Sequence, residues 1–295
     1  MRRHLIFCNL LLFCIMLISC TKNKLSSSVD ITINRNGLLL NGKIYLPEGT
    51  GKFPTVIFLK GFYETEDDYL GIRESLSEGG FTTLTFQYSG TDKSQGEFSF
   101  KNTQKDIQAA FEFIRQSANI DKYKIDTTNI HLGGLSYGGG MALTYAASHP
   151  GINSVFSIAG TDHGEFIREY KNDPDMQRWV DNWITSLRAP EGPVRIEKGF
   201  SLNSIIEEGI HNYLPTLDLR KNAPLLAQSP ILLIGGWDDR RCSLESHLLP
   251  LYRALKNENA KNVKITAVED NHSFSKSREI LVQIIIDWLK SFKSE

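Results

Sequence analysis

Residues 130–140 read Ile130-His131-Leu132-Gly133-Gly134-Leu135-Ser136-Tyr137-Gly138-Gly139-Gly140, a run that sets one serine among five glycines. "NIHLGG" reads as a strand and the residues from about Gly139 to Ser148 as a helix. Between them, Gly134-Leu135-Ser136-Tyr137-Gly138 fits G-x-S-x-G, the pattern in which a serine occupies a sharp strand-to-helix turn. Glycines two residues to either side let the backbones approach. The helix that starts there aims unpaired N–H groups, and the positive end of its dipole, at the serine oxygen. Ser136 is therefore the candidate nucleophile, and Gly133, Gly139 and Gly140 are expected to ease the packing of strand against helix.

The chain on either side supplies the context that this turn requires. Upstream, "DITINRNGLLLNGKIYLP" alternates apolar and polar residues about Asn36-Gly37, a dipeptide suited to a tight hairpin. Thr55 to Leu59, "TVIFL", is a continuous apolar run of the kind a strand buried on both faces shows. A helix over about 67–77, the strand "FTTLTF" and a helix over about 103–117 follow. Downstream come the strand "SVFSIAG" and, much later, "PILLIGG", a helix over about 244–256 interrupted by Pro250, "VKITAVED", and a closing helix from Lys276. That last helix carries Ile280, Ile284 and Trp288 at fourfold spacing. Alternation of this kind predicts an α/β fold with a mostly parallel sheet, helices on both faces and an antiparallel hairpin at its start. It stops over about residues 160–229, where Pro174, Pro190, Pro193, Pro215 and Pro224 break up short helical candidates, among them one with Trp179, Trp183 and Leu187 on one face. This segment is too long for a bare connection and reads as a helical cap inserted between two strands.

A serine hydroxyl needs a base, and the chain has seven histidines. His272 stands in "VEDNHSFS", after the last strand, where parallel sheets present functional side chains. His131 lies within a strand and is expected to pack, His149 closes a helix, and His211 and His247 are expected on solvated faces. His163 follows a strand end and is kept as a substrate-contact candidate. The base in turn needs an acid to hold its tautomer. "GGWDDRRCS" supplies Asp238 and Asp239 after the preceding strand, with Asp239 preferred and Asp238 expected to face solvent or pair with Arg240 or Arg241. Trp237 in the same stretch is a candidate for lining a substrate pocket.

The order Ser136, Asp239, His272 and the G-x-S-x-G turn resemble the α/β-hydrolase superfamily over about residues 30–159 and 229–293. The chain looks most similar to bacterial esterases and serine peptidases of the dienelactone hydrolase, feruloyl esterase and prolyl oligopeptidase-like groups. Gly236-x-x-Asp239 is similar to the spacing that presents the acid in these enzymes. "GGFTTLTFQYSGTDKSQGEF" is similar to their "G-Y-x-V-x-x-x-D-Y-R-G-x-G-x-S", matched at Gly90 and Ser94; Ser89 replaces the arginine and Asp92 the second glycine. Lys60-Gly61-Phe62 stands where the family usually has His-Gly-x. The resemblance implies an oxyanion hole built from main-chain N–H groups, those of Phe62 and Tyr137 here, which the missing histidine does not prevent. The role of Lys60 is left open between pairing within the acidic run Glu64, Glu66, Asp67 and Asp68 and a part in the active site.

The N-terminus adds an address. Arg2 and Arg3 precede an apolar run from Leu5 to Ile18, shorter than the roughly 20 residues a membrane span needs, and the pattern is that of an export signal over 1–19. Leu17-Ile18-Ser19-Cys20 resembles the lipobox of bacterial lipoproteins, which implies a lipid on Cys20 and a protein held at a membrane on the periplasmic side or the cell surface. Residues 20–28 read as a polar tether and 29–295 as the folded domain. Cys8 and Cys14 leave with the signal, so Cys242 is the one free thiol of the body, and a single thiol builds neither a disulfide framework nor a cysteine zinc site. Losing Arg2 and Arg3 leaves 31 of the 33 basic residues against 34 acidic ones, near −3. That balance, without a Lys/Arg stripe, excludes nucleic acid as the expected partner. No phosphate-cradling, dinucleotide or metal-ligand motif is present, so no cofactor is implied. The expected function is hydrolysis of a small carboxylic ester through an acyl-enzyme. The alternatives are a peptidase with the same triad, for which Glu207-Glu208 would capture an amino terminus, and a non-catalytic binding protein on this fold.

Overall fold

The computed structural model describes residues 27–292 except 65–67, 69 and 189–191. The signal segment and Cys20 lie outside the described residues, as does the tether up to residue 26. Ser27 and Ser28, expected in the tether, already pair with Leu46 and Tyr45. They open Ser27–Arg35 (β1), which runs antiparallel to Leu38–Leu46 (β2). Asn36 and Gly37 join the two at φ of 49° and 91°, the left-handed values a tight hairpin turn demands.

Phe53–Leu59 (β3), Ile72–Glu78 (α1), Thr82–Phe86 (β4), Phe100–Arg115 (α2), Ser117–Lys122 (α3), Ile125–Leu135 (β5), Tyr137–Ala146 (α4) and Ser154–Ile158 (β6) follow. Next come His163–Asn172 (α5), Pro174–Arg188 (α6), Leu202–Glu208 (α7), Ile210–Tyr213 (α8) and Ala223–Leu226 (α9). Ile231–Gly236 (β7), Leu249–Asn257 (α10), Val263–Val268 (β8) and Arg278–Lys290 (α11) complete the chain. Among the described residues the strands form one eight-stranded sheet in the order β1-β2-β4-β3-β5-β6-β7-β8. The pairs β1/β2 and β2/β4 are antiparallel and the remainder parallel. Strands β4, β6 and β7 are buried at every position, as expected where helices cover both faces. One face packs Ile107, Ala110 and Ile114 of α2 and Met141 of α4; the other packs Leu76 of α1 and Leu281, Ile285 and Leu289 of α11.

Three local readings are corrected. The buried stripe of α11 is Leu281, Ile285, Trp288 and Leu289, while Ile280 is 60% exposed. Apolar residues occupy so many positions of this helix that two fourfold series fit equally, and packing selects one. Its start falls at Arg278 because the Asp270 carboxylate takes the N–H groups of Lys276 and Ser277, both at 2.8 Å. Pro250 does divide the late helix: Leu244–Leu248 forms a π-helical turn, and α10 begins beyond it with Pro250 in its first turn. His247, expected on a solvated face, is 2% exposed. Its Nδ1 accepts the Asp162 N–H at 3.2 Å and its Nε2 lies 3.4 Å from Glu169, because α5 packs over it.

Residues between β6 and β7 dock on the loop after β4 through main-chain bonds. Asp92 N–H donates to Pro193, Arg195 N–H to Gly90, Phe98 N–H to Arg195 and Glu197 N–H to Phe98, at 2.7–2.9 Å. Gly90 is needed here: at φ 77°, a Cβ would collide with the Arg195 carbonyl. Ile205, Leu217 and Leu219 are fully buried in the same segment. Its α6 is held more loosely, with Val180 its buried residue, Trp179 52% exposed and the two indoles stacked at 5.8 Å.

Candidate active site

Ser136 lies at the C-terminal end of β5 with φ 55° and ψ −119°, a conformation costly for any residue with a Cβ. Its N–H donates to Ile158 of β6 at 2.7 Å, and its carbonyl accepts from Gly140 and Thr161, each at 3.1 Å. The strain of roughly 1–3 kcal/mol is thus over-determined by main-chain bonds to two neighbouring elements. The glycines around it are required by contact. A Cβ on Gly134 would meet the Gly138 carbonyl carbon at 2.6 Å and the Leu59 oxygen at 2.7 Å; one on Gly138 would meet the Lys60 oxygen at 2.5 Å. Gly139 would strike Ser157, and Gly133 and Gly140 would overlap Phe156 and the Thr161 carbonyl. Helix α4 therefore lies directly against the end of β3.

The structure brings three residues from three strand ends into one line. Ser136 Oγ lies 3.0 Å from His272 Nε2, and His272 Nδ1 lies 2.8 Å from Asp239 Oδ2. Asp239 is buried, which pushes its carboxyl up. The hydrogen bond and charge of His272 and the N–H groups of Cys242 and Arg241 outweigh this and hold it below the usual carboxylate range. Those N–H groups reach its Oδ1 at 3.0 and 2.8 Å, leaving Oδ2 for the imidazole. Asp238 is exposed beside it at the rim. The Trp237 N–H donates to Val268 and the Asp238 N–H to Asp270, both at 3.0 Å, so the loops after β7 and β8 are stitched together.

The facing wall is the loop after β3. Gly61 passes close enough that a Cβ on it would lie 3.7 Å from Ser136 Cβ. Its N–H is taken by Glu64 Oε2 at 3.0 Å, while Glu64 Oε1 and Asp68 bind the buried Arg73 at 2.7 and 3.3 Å. Lys60 is itself buried, and its carbonyl accepts the Tyr88 hydroxyl at 2.7 Å. Phe62 stacks on Phe98 at 4.4 Å, packs against Tyr137 and Trp183 at 5.5 Å each, and so is fixed by aromatic contacts on three sides. Tyr137 opens α4, so its N–H is one of the first-turn donors that no helical carbonyl can take. Its hydroxyl is shared with Thr103 at 2.7 Å.

A cleft of about 870 Å³ opens over these groups, lined by Phe62, Tyr63, Ser136, Arg240, Arg241 and His272 among others, a size suited to a small organic ligand. Two candidates lie elsewhere. His163 is 2% exposed, enclosed between Phe100 and Tyr137 at 5.0 and 5.1 Å, so it faces the core rather than the cleft. Trp237 is 58% exposed and is not among the residues that line the cleft. Glu208 pairs with Lys101 at 3.7 Å, and neither it nor Glu207 lines the cleft. Arg73, Tyr88 and Thr103 buttress the site from below and were not singled out in the sequence, because no local motif marks a hydrogen bond between residues far apart in the chain. Among the described residues no three His, Cys, Asp or Glu side chains group to hold a metal, and no helix is long and apolar enough to cross a membrane.

Comparison with known proteins agrees with this architecture. A family model described as the alpha/beta hydrolase fold matches residues 54–198. Est1E from Butyrivibrio proteoclasticus, solved with ferulic acid bound, superposes with a TM-score of 0.66 at 18% identity over 88% of this chain and 98% of that one. The acylaminoacyl peptidase of Pyrococcus horikoshii gives 0.64 at 19% identity over 92% of this chain and 43% of that one. The esterase domain of a Rhodothermus marinus protein gives 0.62 at 18% over 90% and 98%. At such identities these likenesses concern the fold. An uncharacterised 31.7 kDa protein of the traX-finO intergenic region of Escherichia coli is 28% identical over 151 residues, 50% of this chain and 47% of that protein. The chain thus spans about half the length of the curated relative it matches. Sheet order, elbow and family match together give the chain the α/β-hydrolase fold.

Proposed function

We propose that the protein is a serine hydrolase that cleaves carboxylic esters. The observation that carries this reading is the unbroken line of hydrogen bonds from Asp239 through His272 to Ser136, at 2.8 and 3.0 Å, with Ser136 opening into the cleft. In this reading His272 Nε2 takes the Ser136 proton as Oγ attacks the ester carbonyl, and Asp239 stabilises the imidazolium. The carbonyl oxygen becomes an oxyanion held by the main-chain N–H groups of Phe62 and Tyr137. Collapse breaks the bond to the leaving oxygen, which receives the proton from His272, and the acyl group stays on Ser136. Water then attacks the acyl-enzyme with His272 again as base, releasing a carboxylic acid and restoring the serine.

Ser136→Ala should lower ester turnover by roughly 10⁶-fold with an unchanged unfolding midpoint. A fluorophosphonate should label the unaltered chain and neither Ser136→Ala nor His272→Ala. Turnover that survives in Ser136→Ala would end the proposal. Export and lipidation at Cys20 belong to the same reading, supported by the signal and lipobox pattern. Cys20→Ser should leave the membrane fraction on cell fractionation, whereas retention there counts against the anchor.

A further inference from the structure

The cleft has two chemically different walls, and the sheet order explains why. Strands β3 and β4 lie on one side of β5, and β6, β7 and β8 on the other. Phe62 and Tyr63 therefore wall the first side, while Asp238, Arg240, Arg241, Asn271 and Ser273 wall the second. Arg240 and Arg241 are both exposed to the cleft, and among the described residues neither guanidinium has an ion-pair partner. The acid on the facing wall, Glu64, is already committed to Arg73 and to the Gly61 N–H. Among the described residues that line the cleft Asp238 is the other carboxylate, so against Arg240 and Arg241 the second wall carries a net positive charge. Arg241 is also held in place at its main chain, because Asp239 Oδ1 accepts the Arg241 N–H at 2.8 Å and the Cys242 N–H at 3.0 Å.

Proton transfer decides which half of a substrate meets these cations. His272 Nε2 must reach the leaving oxygen to protonate it, so the leaving group lies toward the His272 loop and its neighbour after β7. We infer that the cleft selects esters whose leaving alcohol or phenol carries an anion, a carboxylate or a phosphate, bound by Arg240 and Arg241. Planar guanidinium groups suit both anions, which they meet with paired N–H donors. The inference rests on the hydrolase reading above and adds the substrate class to it.

Selectivity is read with 4-acetoxybenzoate and 4-acetoxyphenyl phosphate, each against neutral methyl 4-acetoxybenzoate. The unaltered enzyme should have a higher kcat/KM for at least one anionic ester, and the larger ratio names the anion. The ratio should fall at least tenfold in the double variant Arg240→Gln/Arg241→Gln; a ratio that does not change overturns the inference. Binding is measured separately by calorimetry on Ser136→Ala, where the double substitution should weaken the same anionic esters about tenfold. Equal affinity with and without the arginines also overturns it. Fluorophosphonate labelling without arginine-dependent selectivity would sink the anion site alone. Arginine-dependent binding without labelling would sink the hydrolase reading and leave the anion site standing.

Discussion

Tyr88 donates its hydroxyl to the Lys60 carbonyl at 2.7 Å, directly before the loop that carries the Phe62 N–H. Burial raises its pKa well above that of an ordinary tyrosine, so it remains a donor at any pH the fold survives. Tyr137 is pinned in the same way through Thr103, and the two tyrosine rings meet edge to face at 5.4 Å. In the proposed mechanism Tyr88 is thus a positioning residue for the loop that carries the Phe62 N–H. Tyr88→Phe should lower kcat about tenfold with little change in KM, because a displaced donor is felt most where charge develops. Steady-state kinetics check this, and a rise in KM at constant kcat would contradict it. Ser136, Asp239 and His272 could be picked out from the chain because each sits at a strand end with a residue type that limits its chemistry. Tyr88 could not, since its role lies in a bond to a residue 28 positions away. Cys242 shows the reverse: nothing in the sequence tells a reactive thiol from an inert one, yet burial pushes it up to about 12 against the smaller downward pull of its hydrogen bonds to Thr161 and Ser136.

At the level of strands and helices, the first hairpin is fastened to the body by a buried ion pair between Arg35 and Asp106. Ser89 stands where similar enzymes carry an arginine, and its N–H and hydroxyl donate to Asp106 of α2 at 2.7 and 2.6 Å. The guanidinium comes instead from Arg35 at the end of β1, 2.7 Å from Asp106 Oδ1. Asp106→Ala would leave Arg35 buried without its carboxylate, and removing one partner of such a pair costs about 3–5 kcal/mol. Urea denaturation should show that loss, and a change below 1 kcal/mol would mean that the hairpin is not held this way. Strands β3 and β7 were readable as apolar runs because burial on both faces leaves little choice of residue. The face of α11 and the burial of His247 were not, since periodicity places side chains relative to one another and not relative to the element that covers them.

Two buried histidines couple the stability of the whole domain to pH. Burial lowers His131 to about 4 and His163 to about 3, the latter against a smaller upward pull from the Tyr137 carbonyl. In the unfolded chain both titrate near ~6.5. Below that value the unfolded state binds protons that the folded state refuses until about pH 4. Stability is therefore full above the unfolded pKa and falls with pH across this window, by about 1.4 kcal/mol per unit for each histidine. His131→Gln should flatten that slope by one histidine's share in urea midpoints measured from pH 7 to 4.5; an unchanged slope would refute it. The difference between variant and parent isolates His131 from Asp106 and Asp162. Burial raises those carboxyls, so they take up protons in the folded state and act in the opposite sense.

The glycines around Ser136, the apolar strands and the strand-end placement of Ser136, Asp239 and His272 follow from constraints that act within a few residues, such as backbone clearance, pleat burial and turn geometry. They can be read from the chain alone. The partner of Asp106, the enclosure of His163 and His247, the exposure of Trp179 and Trp237, and the cationic wall of the cleft depend on which distant element packs against which. Long-range hydrogen bonds and desolvation arise only when those elements meet, so they are properties of the folded protein.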